Sequence, residues 1–165
     1  MRKVLFVVTS HPSINPELPT GVYLEEFAVP YEAFIKEGFQ VEVVSPKGGN
    51  VPVDPNSLQI SQEQLKEWNG SLQALQETSS LNGIIADHFD ALFIPGGHGT
   101  MFDFPENTEL AELLMDFEEQ KKIIAAVCHG PAAFVHARYG DDTPFVSGKK
   151  ITAFTDEEEK EMELT

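Results

Sequence analysis

A single cysteine, Cys128, stands in a chain of 165 residues, so no internal disulfide can form and cross-linked folds are excluded. That usage fits a reducing cytoplasm, which is the expected location. Basic side chains are also scarce, 11 against 27 acidic ones, for a formal net charge of −16. Nucleic acid and anionic membranes need basic patches, so neither is expected as a partner. The ordinary use of such an acidic surface is solubility. Long apolar runs are missing too. Val4-Leu5-Phe6-Val7-Val8 stops at Thr9, too short for a signal-peptide core and without a small-residue cleavage site. No segment approaches the roughly 20 apolar residues of a membrane helix. Neither Cys-x-x-Cys nor His-x-x-x-His spacing occurs, so no metal is expected. Pro95-Gly96-Gly97-His98-Gly99-Thr100 does not continue as a dinucleotide-binding Gly-x-Gly-x-x-Gly turn.

What the chain does have is an alternation of strand and helix patterns, over a length that suits one domain. Residues 3–9 are predicted as a buried strand. Residues 23–37 carry Leu24, Phe27, Ala28, Tyr31, Phe34 and Ile35 at helical spacing, with Pro30 expected to kink or restart the helix and Gly38 placed for a left-handed cap. Gln40–Ser45, Ala91–Ile94 and residues 123–127 are predicted strands, and Thr108–Glu119 a helix capped by Asn107 or Thr108. Strand, helix and strand repeated in this way predict an α/β fold: a doubly wound, mostly parallel, flavodoxin-like sheet with helices on both faces. Ligands then bind at the carboxyl ends of the strands. Residues 46–82 are rich in turn chemistry and read as an insertion beside the site mouth, with one or two short helices over residues 62–75 bearing the only tryptophan, Trp68. Thr155 and Glu158 have the spacing of a capping box, which predicts a helix start in the acidic end.

Cys128 follows the run Ile123-Ile124-Ala125-Ala126-Val127 and precedes Gly130-Pro131, a helix-start pair. A strand-to-helix elbow lifts a thiol out of the sheet, and a helix behind it turns N–H groups and a positive dipole end toward the sulfur. That combination predicts a thiolate of lowered pKa. A free cysteine also serves as a small buried hydrophobe, and position alone leaves both readings open. The strand Ala91–Ile94 runs into the glycine-rich loop, whose backbone can approach a ligand closely. An N–H of this loop facing the first N–H groups beyond Cys128 makes an oxyanion hole. His98 in the loop and His11 after the first strand are pocket candidates, while His88 and His136 read as surface or helix-packing residues.

Pro95-Gly96-Gly97-His98-Gly99-Thr100-Met101-Phe102-Asp103, Ala125-Ala126-Val127-Cys128-His129-Gly130-Pro131 and Lys150-Ile151-Thr152-Ala153-Phe154-Thr155-Asp156 resemble the ThiJ/PfpI superfamily, of class I glutamine-amidotransferase-like fold. With Thr20-Gly21-Val22-Tyr23-Leu24-Glu25-Glu26 they resemble more narrowly its heat-shock-chaperone and glutathione-independent glyoxalase branch. The resemblance implies a single domain over residues 1–165, with Cys128 as nucleophile, His129 as catalytic partner and the N–H groups of Gly97 and His129 as oxyanion hole. It also implies Glu26 as the catalytic carboxylate. Glu25 then points about 100° away on the helix and faces solvent or the flank. A buried carboxyl beside a thiolate is pushed toward its protonated form, which suits a proton carrier near neutral pH. Branch members continue past the Thr-Asp-x-x-Glu segment, so a C-terminal segment or second chain is expected to complete the fold, and a homodimer is expected. Related amidotransferases use a downstream His-x-Glu pair. Only His129 and His136 follow Cys128 here, and Ala137-Arg138 follow the latter, which excludes that chemistry.

The activity so implied is that of a glutathione-independent glyoxalase-type lyase converting small α-oxoaldehydes such as methylglyoxal to 2-hydroxy acids. No redox cofactor is expected, because one carbon is oxidised as its neighbour is reduced. The superfamily leaves two alternatives open: a stress-protective holding chaperone with a redox-sensing cysteine, and a cysteine peptidase or general hydrolase.

Overall fold

The computed structural model describes residues 2–163. Strand β1 (Lys3–Val7) leads through a small antiparallel hairpin, β2 (Ser13–Asn15) and β3 (Leu18–Pro19), into helix α1 (Leu24–Lys36) and strand β4 (Gln40–Ser45). Helices α2 (Gln62–Glu67) and α3 (Asn69–Ala74) and the short strand β5 (Ser79–Ser80) follow. Then come β6 (Ala91–Ile94), α4 (Thr100–Asp103), α5 (Thr108–Glu119), β7 (Ile123–Ala126) and α6 (Asp156–Glu161). The sheet order is β5-β4-β1-β6-β7, and every pairing is parallel.

The continuous apolar run of β1 is explained by cover on both faces of the sheet. Leu5 and Val7 join Leu92, Ile94 and the α5 residues Leu110, Leu113, Leu114 and Phe117 in one core. Val4, Phe6 and Val8 point the other way, onto Leu24, Phe27 and Ala28 of α1 and onto Trp68. The Phe6 ring meets Phe27, Phe34 and Tyr31 edge-on at 5.7, 6.0 and 6.2 Å. Fully buried rings such as Phe6 and Phe27 contribute roughly 1.5–3 kcal/mol each.

Several local details differ from the sequence expectations. The predicted first strand ends at Val7 and not at Thr9, because Thr9 leaves the ladder to bond Asp103. Helix α1 runs through Pro30 without restarting, since the buried Phe27 and Ala28 hold it to the sheet. Asn107 caps α5 by accepting from the Leu110 N–H, and Thr155 and Glu158 form the capping box of α6. Residues 62–75 form two helices meeting at Trp68, and β5 is a strand too short and polar to be read from sequence. The largest difference lies behind Cys128. There the chain forms only a five-residue 3₁₀ turn, Gly130–Phe134, and no α-helix, because Pro131 to Phe134 are buried and their packing shapes the turn.

Candidate active site

The carboxyl ends of β1, β6 and β7 bring three short segments together at one edge of the sheet. Cys128 follows β7 with φ +56, a left-handed conformation that is uncommon for a side chain-bearing residue and aims its Sγ away from the sheet. The loop after β6 passes so close that a Cβ on Gly96 would lie 2.7 Å from Glu26 Oε2 and 2.8 Å from Cys128 Cβ. A Cβ on Gly97, whose φ is +100, would lie 2.1 Å from the Gly21 carbonyl oxygen. Only glycine fits this approach. The Thr100 hydroxyl ties the two turns together, 2.9 Å from the Gly97 carbonyl and 3.0 Å from that of His129.

Around Cys128 the polar groups form a connected line. Its Sγ lies 3.1 Å from His129 Nδ1, and His129 Nε2 lies 2.5 Å from Glu159 Oε1. The other oxygen of Glu159 is 2.9 Å from His98 Nε2. Glu26 accepts a 2.8 Å bond from the Gly96 N–H and is half-buried, whereas Glu25 is exposed. The backbone N–H groups of His129 and Gly97 favour the ionised form of the sulfur. Phe154 stacks on the His129 ring at 4.4 Å and donates its N–H to the Cys128 carbonyl at 2.9 Å, which fixes the strap leading to α6.

The electrostatics reverse one sequence expectation. Burial pushes the Cys128 thiol up to about 12, reinforced by the Glu26 carboxylate, against the two backbone N–H groups that favour the thiolate. No helix stands behind the elbow to offset this, so the predicted lowering of the thiol pKa does not occur. Burial also lowers the His129 imidazole, against the hydrogen bond it donates to Glu159, which raises it. Glu159 resists its own burial through bonds from His129 and His98 and lies below the usual carboxylate range. An ionised carboxylate only accepts, so His129 donates from Nε2 and leaves Nδ1 free to receive the thiol proton. Burial raises Glu26, partly offset by hydrogen bonds from Cys128 and the Gly96 N–H.

These groups open on a cavity of about 320 Å³ whose lining includes Tyr23, Glu26, Gly97, His98, Cys128 and His129. His11 does not line it: its ring stacks on Phe102 at 4.6 Å, and Thr9 and Ser10 beside it bond the half-buried Asp103. His88 and His136 are exposed. Sequence reasoning missed Glu159. The signal was there in the capping box: Glu158 turns back onto Thr155, so its neighbour, about 100° round the helix, faces the site. The no-metal expectation rested on spacing, and the fold joins what spacing keeps apart. His98, His129 and Glu159 place three ligand-type atoms within 4.8 Å of one another. Glu159 offers one carboxylate oxygen to each of the two histidines.

The DJ-1/PfpI family profile matches residues 18–163. The chain belongs to the DJ-1/PfpI family. Glyoxalase 3 of Candida albicans is 32% identical over 170 residues, a match spanning 94% of this chain and 70% of that protein. Glutathione-independent glyoxalase HSP31 of Saccharomyces cerevisiae is also 32% identical, over 94% of this chain and 69% of its own. The crystal structure of glyoxalase III from Candida albicans superposes with a TM-score of 0.88 at 29% identity, covering 99% of this chain and 72% of that one. The five-stranded parallel sheet is the fold of these DJ-1/PfpI relatives.

Proposed function

We propose that this DJ-1/PfpI chain is a glutathione-independent glyoxalase-type enzyme acting on small α-oxoaldehydes. The observation that carries the reading is the convergence of Cys128, His129 and Glu26 on one cavity, with Glu159 bonded to the His129 ring. Cys128 Sγ gives its proton to His129 Nδ1 as it adds to the aldehyde carbon, forming the C–S bond of a hemithioacetal. Glu159 stabilises the resulting imidazolium, and the N–H groups of Gly97 and His129 receive the oxyanion. Glu26 removes the proton from the former aldehyde carbon and returns it to the neighbouring carbon through an enediolate. The first carbon is thereby oxidised by two electrons and the second reduced by two. Water cleaves the thioester, releasing the 2-hydroxy acid and restoring the thiol. The sum is one oxoaldehyde plus one water giving one hydroxy acid, and no redox cofactor enters.

The high thiol pKa supports this order of events, because a neutral thiol beside a neutral imidazole ionises only as it attacks. The proposal extends to a cytoplasmic homodimer. Its support is that no described helix is long and apolar enough to cross a membrane, and that the outer edge of β7 has no partner among the described residues. That edge is offered to further polypeptide. Methylglyoxal incubated with the protein in the absence of glutathione should be consumed in step with lactate formation, and Cys128→Ala should abolish both. Turnover retained in that variant would overturn the reading.

A further inference from the structure

The cavity over Cys128 is too large for the smallest oxoaldehydes. Methylglyoxal has five non-hydrogen atoms, comparable to five waters at about 30 Å³ each, or roughly 150 Å³. The cavity of about 320 Å³ leaves as much again unfilled. The surplus has a distinct chemistry. Ile14 and Leu18 of the β2–β3 hairpin, Phe154 of the strap and Met162 at the end of α6 line it. Ile14, Leu18 and Phe154 are half-buried, yet none of the four belongs to either hydrophobic core. Their apolar surface faces the cavity instead. Among the described residues no lysine or arginine lines the space, and Glu26 and Asp54 do, so an anionic substituent finds no basic partner there.

We infer that the site takes α-oxoaldehydes bearing a bulky, neutral, apolar substituent, aryl or branched alkyl, and that the hairpin residues Ile14 and Leu18 set this preference. The inference rests on the glyoxalase reading. The reacting carbons sit at the polar end, between Cys128 and Glu26, and the substituent lies along the hairpin and Phe154. The chemistry is unchanged: the thiol adds, the proton moves between adjacent carbons, and water releases the hydroxy acid.

The test compares phenylglyoxal with methylglyoxal, following mandelate and lactate respectively. The wild-type kcat/KM for phenylglyoxal should equal or exceed that for methylglyoxal. Leu18→Trp fills the apolar end and should lower kcat/KM for phenylglyoxal about tenfold more than for methylglyoxal. Ile14→Ala removes one wall contact and should shift the same ratio in the same direction, by a smaller factor. It serves as the check should the tryptophan disturb the hairpin. Methylglyoxal turnover with phenylglyoxal more than about tenfold poorer would overturn the size inference and leave the glyoxalase reading standing. Equal effects of both variants on the two substrates would overturn the hairpin's role. Inactivity toward both aldehydes would remove the glyoxalase reading and this inference with it.

Discussion

Cys128 concentrates most of the site's chemistry in a few atoms. Its left-handed backbone directs Sγ to His129 and Glu26 together, and burial keeps the thiol protonated at neutral pH. Alkylation by iodoacetamide should therefore be slow near pH 7 and keep rising with pH well above the ordinary thiol value of roughly 8.5. A plateau below that value would contradict the raised pKa. The linkage has a definite sign. Between the unfolded value and about 12 the folded state holds a proton that the unfolded state has lost, so stability falls as pH rises through this window. Cys128→Ala should flatten that alkaline loss in denaturant titrations. At Glu26 the expectation concerns rate: Glu26→Gln should lower kcat by about 10²–10⁴-fold, whereas Glu25→Gln, on the exposed face, should change little. Glu159→Gln keeps the shape but weakens support for the imidazolium, so kcat should fall with little change in melting temperature.

The loop after β6 and the turn after β7 work as one element. Their backbones are in contact through Gly96 and Gly130, and the Thr100 hydroxyl bridges them. Gly97→Ala meets two obstacles, a φ of +100 and a Cβ 2.1 Å from the Gly21 carbonyl oxygen. Strained positions of this kind cost on the order of 1–3 kcal/mol. The variant should melt several degrees lower and lose activity together with stability. Thermal melts and kinetics on the same preparation separate this from Glu26→Gln, which should lose rate alone. The strap from Phe154 to Glu159 is the third piece. It is held by one backbone bond, one ring stack and the two histidine contacts, while α6 itself has no buried residue.

Across the molecule, two apolar cores on opposite faces of the sheet hold the carboxyl ends of β1, β6 and β7 level, which is what aligns the three site segments. The sheet is well covered in its middle, and among the described residues β7 has no partner on its outer side. Ile123 of β7 is 69% exposed, and Val127, directly after the strand, is exposed as well. An unpaired apolar edge favours strand-to-strand association. Sedimentation at increasing concentration should show self-association, and Ile123→Lys should weaken it without altering the melting temperature by more than a degree or two. A monomer at all concentrations would assign that edge no role in assembly.

Much of this was legible in the residues. The 3.6-residue spacing of Leu24, Phe27, Ala28 and Tyr31, and the apolar runs of β1, β6 and β7, are local patterns that burial on one or two faces imposes directly. The strand–Cys–His–Gly–Pro order likewise marked the elbow, and the paired glycines marked a close backbone approach. Other features depended on what lay across space. The helix inferred behind Cys128 is a 3₁₀ turn because buried neighbours claim its residues, and the thiol pKa followed desolvation where a helix dipole had been expected. His11 went to Phe102, Glu159 came to His129 from 30 positions away, and three ligand-type groups met without any motif spacing. Periodicity is written along the chain, so sequence alone determined the elements and the elbow. Desolvation and long-range hydrogen bonding depend on which groups share a low-dielectric space, and only the packed tertiary structure decides that.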